Sequence, residues 1–434
     1  MIPTAAPQAP PAVRVSWSGL VAGGLVALVG FDHHVYRTLS LATVAGIALV
    51  PVWWPAVSRY RGAWPLLSVG ALAGIAGVWL TESAGVDHHT STAATLTVSF
   101  VLLNILVGIA LLLWARTLMR TSLVALLFGI GMVAAVPLGG LGFDEHAWRF
   151  QYSVPVSVLL LAGAWYLNKR WLEVLLALTL AAASAAAGGR STFAMLLVAA
   201  IVTAWQGSRK AKTKTGSRLR IVLFGGALVF AIYQVGQGLI LDGYLGESAQ
   251  ERTQVQIETT GNILLGARPE LGATIALMAE QPTGFGSGTL SSLSDVRTAK
   301  AGMAELGYDP DNGYVDRYMF GAGFELHSLV GDFWAAFGLA GLAFILLAAW
   351  FACRGCVGLI ARRAGPALLV YLTVRLLWNT FFGPIIASST LVIAALGLIL
   401  ALKLTDVRGG SDLDEPQAAD RSELRSPEAS ATAA

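Results

Sequence analysis

The stretch GSRKAKTKTGSRLR, residues 207–220, decides how the chain is read. It carries Arg209, Lys210, Lys212, Lys214, Arg218 and Arg220, and no acidic residue. Apolar runs flank it, RSTFAMLLVAAIVTAWQ at 190–206 and IVLFGGALVFAIYQVGQGL at 221–239. Each is close to the about 20 residues that a helix needs to cross a hydrocarbon core of ~30 Å. Lys and Arg in the short loops between such spans hold those loops on the cytoplasmic side. The stretch therefore reads as a cytoplasmic turn between two transmembrane helices.

The rest of the chain has the composition this requires. It is 55% hydrophobic and 13% charged, against roughly 25% charged in soluble domains, and its mean hydropathy is +0.65. That balance cannot cover a water-soluble globule, which excludes a soluble enzyme and gives no nucleic-acid surface. Twelve spans are expected, near 15–31, 38–57, 63–81, 93–114, 121–138, 152–168, 171–187, 190–206, 221–239, 329–352, 366–383 and 385–403. Counting outward from the basic turn puts Arg59 and Arg61, Arg116 and Arg120, Lys169 and Arg170, and Arg354, Arg362 and Arg363 on the same cytoplasmic side. Both termini fall there too.

The expected fold is thus an all-α polytopic membrane protein with about 12 transmembrane helices, in the plasma (inner) membrane. A tail at 1–14 has no charged residue before Arg14 and is not read as a signal peptide. Spans one to nine occupy 15–239, and spans ten to twelve 329–403. Between the ninth and tenth spans lies one long extracytoplasmic loop, 240–328, with twelve acidic and five basic residues and a net charge of −7. The polar tail at 404–434, like the first, is expected to be disordered and cytoplasmic. Within the long loop, ARPELGATIALMAEQP has Pro269 at a helix start and Pro282 as its stop. Cys353 and Cys356 stand as C-x-x-C without the second pair a zinc site needs, and read as reduced structural thiols.

All six histidines fall on the outer side: His33, His34, His88, His89, His146 and His327. Several outer residues have chemistry to offer, each beside a plainer role. Arg190, in AAAGGRSTFAML, stands where an arginine meets water, a partner or an anion; its plainer role is to snorkel at a hairpin turn made by Gly188 and Gly189. Arg268 precedes the loop helix, so guanidinium and helix N-terminus together favour an anion; the alternative is an ion pair with Glu270 or Glu280. In PTGFGSG, Gly284 and Gly286 could aim backbone N–H groups at a phosphate or simply make a flexible turn. His327 takes a proton near neutral pH, with Glu325 and Asp332 close enough in sequence to orient it. The alternative is a structural hydrogen bond. GFDHH and GVDHH place Asp32, His33, His34, Asp87, His88 and His89 as speculative metal ligands or as exposed helix-end residues. Arg375, inside VYLTVRLLWNTFF, faces a partner or an anionic head group, and Arg149, in DEHAWRFQ, is a further phosphate-contact candidate.

In combination these pieces resemble the O-antigen ligase and O-antigen polymerase superfamily over about 170–345. GGRS resembles that family's Ser/Gly-Arg turn at the outer end of a helix. ARPELGATIALMAEQPTGFGSG resembles its run of an Arg, a helix, a Pro and a Gly-x-Gly turn. His327 and Ser328, followed by nine residues and then Gly338, resemble its His-Asn/Ser motif. The resemblance implies a glycan transferase acting at the outer face. Its partners would be a polyprenyl-pyrophosphate-linked glycan donor, a glycan or lipid acceptor and the surrounding lipids, with no cofactor and no metal. Arg190 and Arg268 would hold the pyrophosphate, and His327 would act as general base. The competing expectation is a twelve-span transporter or flippase. Against it, the large outer loop falls after the ninth span and leaves no two equal halves.

Overall fold

The computed structural model describes residues 16–138, 147–207, 218–241, 254, 268–309, 311, 313–321 and 323–403. The basic run at 208–217, His146, the first part of the long loop and both tails lie outside the described residues, as do Asp242, Glu247, Glu251 and Glu258.

The chain is mostly helical. In order come α1 (Trp17–Phe31), a two-stranded antiparallel hairpin β1 (His34–Tyr36) and β2 (Leu39–Ser40), α2 (Leu41–Ala48), α3 (Val50–Val57), α4 (Ala63–Ala84), α5 (Thr92–Ala115), α6 (Thr121–Ala135), α7 (Ser153–Tyr166), α8 (Arg170–Ala186), α9 (Arg190–Gly207) and α10 (Arg218–Leu241). The second half holds α11 (Glu270–Glu280), α12 (Leu293–Glu305), α13 (Leu329–Ala361), α14 (Ala367–Phe382) and α15 (Ile385–Ile399). Among the described residues three helices, α4, α5 and α13, are long and apolar enough to cross a membrane by length and composition. The shorter apolar helices α1, α6, α14 and α15 have 15 or 16 residues, roughly 22–24 Å at 1.5 Å per residue.

Two expected spans take a different form. The run at 38–57 is not one helix, because β2, α2 and α3 divide it. Pro51 and Pro55 each lack an N–H, so one continuous ladder is interrupted twice, and the chain breaks at Leu49 (φ −100°, ψ 14°). The indole N–H of Trp53 crosses the break to the Gly46 carbonyl at 2.7 Å. The run at 329–352 instead extends to Ala361 and kinks at Gly338 (φ 62°, ψ −151°), a backbone conformation open to glycine.

Helix contacts chain the two ends of the bundle. At one end, Tyr60 bridges to Leu402, and the Arg116 guanidinium donates to the carbonyls of Gly397 (2.8 Å) and Leu400 (3.0 Å). A cation there suits the free carbonyls and negative dipole end of α15. Arg170 does the same for the turn after α13, donating to Gly365 O (2.6 Å) and Arg363 O (2.8 Å). Glu173 accepts the N–H of Ala367 at 2.6 Å, and Gln206 exchanges two bonds with Gly365. At the other end His34 pairs with Asp32, which accepts from Thr390, and His88 pairs with Asp295. The described basic turns thus gather at one end and the described histidines at the other.

A second, smaller hydrophobic cluster sits at the histidine end. It joins Ala273, Leu277, Ala299, Met303, Met319 and Trp334. The helix between Pro269 and Pro282 is present as α11, and it crosses α12 at Gly272 and Gly302, where either Cβ would collide with the facing backbone. Helix α12 goes beyond the elements expected from the sequence. Its signal is Ser292-x-x-Asp295, a capping box in which each side chain accepts the other's backbone N–H.

PTGFGSG docks this lobe onto the bundle. The kink at Gly338 frees the Ala335 carbonyl, which accepts from both Phe285 N and Gly286 N at 2.9 Å. Ser287 N donates to Gly77 O, and Gly288 N to the Thr81 hydroxyl. A Cβ on Gly338 would lie 2.6 Å from the Thr283 carbonyl oxygen and 2.7 Å from Leu80 Cδ1. Gly338→Ala is therefore expected to destabilise the protein by about 2–4 kcal/mol, combining backbone strain with overpacking. Thermal unfolding in detergent should show a lower midpoint than the wild type.

Candidate functional site

The site is built from the turn that enters α13. Ser328 caps the helix, its hydroxyl accepting Gly331 N–H at 3.0 Å. One turn later Asp332, 2% exposed, turns its carboxylate back. One oxygen accepts Leu326 N–H at 2.7 Å and the other accepts Ile385 N–H at 2.8 Å. A buried carboxylate persists only where donors surround it. Here it ties the segment before α13 to the start of α15, and the intervening residue is His327.

His327 sits at φ +54°, rare for a residue with a side chain. Its Nδ1 lies 3.0 Å from the Glu325 carbonyl oxygen. A carbonyl can only accept, so Nδ1 carries the proton. In the neutral ring Nε2 then carries the lone pair, the tautomer a general base needs. Glu325 orients His327 through its main chain. Asp332 acts on the adjacent backbone and not through the contact to the ring that their spacing in sequence suggests.

The imidazole faces Tyr314, with ring centroids 5.9 Å apart. Tyr314 begins a π-helical turn, Val315–Met319, whose Val315 and Met319 are buried. The phenol donates to Glu270 Oε1 at 2.8 Å. Burial, then the Glu270 charge, raises the pKa of Tyr314 above its ordinary value, with Arg268 acting the other way. So Tyr314 joins His327 to Glu270, two residues after Arg268. Neither Tyr314 nor Glu270 stands out in the sequence as part of a site. The turn-favouring residue types Asp309, Asp311 and Gly313 before Tyr314 are the available signal in the sequence.

The arginines line the neighbouring helices. Arg268 lies 6.0 Å from the Phe382 ring centre at the end of α14. Arg375, two turns earlier on α14 and so roughly 10 Å along its axis, donates to the Thr192 hydroxyl at 3.1 Å. Among the described residues its Nε is buried without a partner. Thr192 is two residues from Arg190, the exposed first residue of α9. Gly188 (φ +71°) and the Gly189 N–H bonded to Ser184 O (2.7 Å) close the α8–α9 turn as expected. Arg375 and Arg268 thus stand at two levels of the second half of α14, and Arg190 opens the helix whose Thr192 accepts from Arg375.

Other sequence candidates do not join them. Arg149 is exposed and packs over Phe150. The N–H groups of Gly284 and Gly286 are bonded to Gln281 O and Ala335 O, so the turn makes a packing joint in place of a phosphate cradle. The two DHH copies likewise do not meet. His88 Nε2 donates to Asp295 Oδ2 at 3.1 Å, His89 O holds Leu290 N–H, and no group of three or more metal-capable side chains occurs among the described residues. Asp32, 3.5 Å from His34, raises that histidine's pKa against the opposing effect of burial.

Asp332 gives a direct test of how the site is held. In Asp332→Asn one of two backbone N–H donors faces an NH₂ group, at a cost of about 1–3 kcal/mol. The expected result is a lower unfolding midpoint together with faster hydrogen exchange at Leu326 and Ile385. Comparisons of the chain with protein-family models, curated proteins and solved structures give no match.

Proposed function

We propose that the chain is a membrane glycosyltransferase that moves a glycan from a polyprenyl-pyrophosphate carrier to an acceptor hydroxyl at the extracytoplasmic face. The observation that carries this reading is the His327 ring, bonded through Nδ1 to the Glu325 carbonyl and packed on Tyr314, whose partner Glu270 follows Arg268 by two residues. The resemblance to O-antigen ligases and polymerases in GGRS, ARPELGATIALMAEQPTGFGSG and LHS adds to it. In this reading the protein spans the plasma membrane about twelve times with both termini cytoplasmic, and the gathering of basic turns at the end away from His327 supports that orientation.

The chemistry follows from the groups. The acceptor oxygen attacks the anomeric carbon, and its proton passes to His327 Nε2. The bond from that carbon to the phosphate oxygen breaks, and the electron pair leaves with the carrier pyrophosphate. Charge growing on that leaving group is what preorganised guanidinium groups stabilise. Arginine suits this because its planar fork meets phosphate oxygens in pairs. Arg190 and Arg268 hold the pyrophosphate in this account, with Arg375 deeper, towards the lipid.

One observation favours the rival reading of a transporter or flippase. Broken helices such as α13 are the usual site of ion and substrate binding in transporters. In α13, however, the carbonyl freed at the break is already taken by Phe285 and Gly286.

His327→Ala should lower glycan transfer by about 10²–10⁴, with lipid-linked donor accumulating in cells where the variant is inserted normally. Arg190→Lys and Arg268→Lys should restore little, because a lysine keeps the charge and loses the fork. Full product from His327→Ala would contradict the assignment of the base. Unimpaired transfer from both lysine variants would contradict the pyrophosphate site.

A further inference from the structure

We propose that Glu270, Tyr314 and Tyr318 form a pyranose-binding subsite beside His327, which receives the acceptor sugar. The inference rests on the transferase reading for its role, though not for its chemistry.

Tyr314 is the centre of an aromatic group. Its ring lies 5.7 Å from Tyr318, 6.3 Å from Tyr308 and 5.9 Å from His327. Tyr318 is 57% exposed, so the group opens to the outside at that end. The turn that carries both tyrosines is held in place, with Val315 and Met319 buried and Lys300 Nζ 2.8 Å from Asp316 Oδ2. At the hydroxyl of Tyr314 is Glu270, only 8% exposed. Tyr314 satisfies Oε1, while Oε2 is buried with no hydrogen-bond partner among the described residues. A buried acceptor left without a donor costs about 1–3 kcal/mol, and each such atom calls for an explanation.

A pyranose supplies what both features lack. One face of the sugar is lined with C–H bonds, which pack on aromatic faces, and its edge carries hydroxyls that donate to a carboxylate oxygen. Aromatic faces are electronegative and Glu270 brings a carboxylate, so the surface disfavours phosphate. Glu270 Oε2 and the exposed Tyr318 ring therefore suit the sugar, while Arg268, two residues before Glu270, is left for the phosphate. Its neighbour is the base, so the sugar it holds is the one that gives up a hydroxyl proton.

The test uses the full chain in lipid nanodiscs. Saturation-transfer NMR with methyl glucoside, galactoside, mannoside and N-acetylglucosaminide reads sugar contact, glycerol is the polyol control, and inorganic pyrophosphate binding is measured on the same sample. At least one pyranoside should receive saturation and glycerol should not. Glu270→Gln and Tyr318→Ala, at unchanged pyrophosphate affinity, should each weaken that pyranoside by about fivefold or more, the equivalent of one hydrogen bond or ring contact of ~1 kcal/mol. No pyranoside signal, or pyranoside affinity unchanged in both variants, overturns the subsite. Sugar binding with no pyrophosphate binding by the wild type keeps the subsite and overturns the transferase reading.

Discussion

The carboxylate of Asp332 is the constraint on which the rest of the site depends. It is buried one turn inside α13, and it bonds two backbone N–H groups that are far apart in sequence, Leu326 and Ile385. One lies beside His327 and the other opens α15. A histidine at φ +54° is an unfavourable conformation on its own, and it persists where its surroundings over-determine it. Asp332 on one side and the Glu325 carbonyl on the ring supply that determination. When the ring is neutral, Nδ1 is therefore the donor to the Glu325 carbonyl and Nε2 carries the lone pair.

The same economy appears at the break in α13. A helix interrupted within an apolar bundle leaves polar backbone groups that need partners. The chain supplies them from PTGFGSG, whose successive N–H groups reach Ala335 and the backbone and side chain of α4. The lobe formed by α11 and α12 is in this way anchored to the bundle next to His327. Arg268 and Glu270 start α11, so the joint also sets how close they come to the histidine and to α14.

Much of the helical fold is legible in the sequence because apolar run length is a strong signal. The runs at 63–81, 93–114, 121–138 and 385–403 each hold a helix. The division at 38–57 is less so, since prolines are tolerated inside membrane helices and do not by themselves mark a break. His327 and Arg268 can be picked out because a titrating ring and a guanidinium at a helix start carry their chemistry in the residue type. Tyr314 and Glu270 cannot: a phenol and a carboxylate 44 residues apart become a pair only through the fold of the loop. The glycines of PTGFGSG suggest a phosphate cradle and make a joint for a related reason. Exposed N–H groups and N–H groups committed to a kinked helix have the same sequence.

The central claim is that His327 Nε2 takes the acceptor proton while the carrier pyrophosphate leaves. Its most direct measurement is release of polyprenyl pyrophosphate from lipid-linked glycan by the purified protein with His327→Gly, titrated with free imidazole. The account predicts release by the wild type, almost none by His327→Gly, and recovery that rises with the concentration of neutral imidazole. Release by His327→Gly equal to the wild type without imidazole, or glycan that stays on its carrier with the wild type, would contradict it.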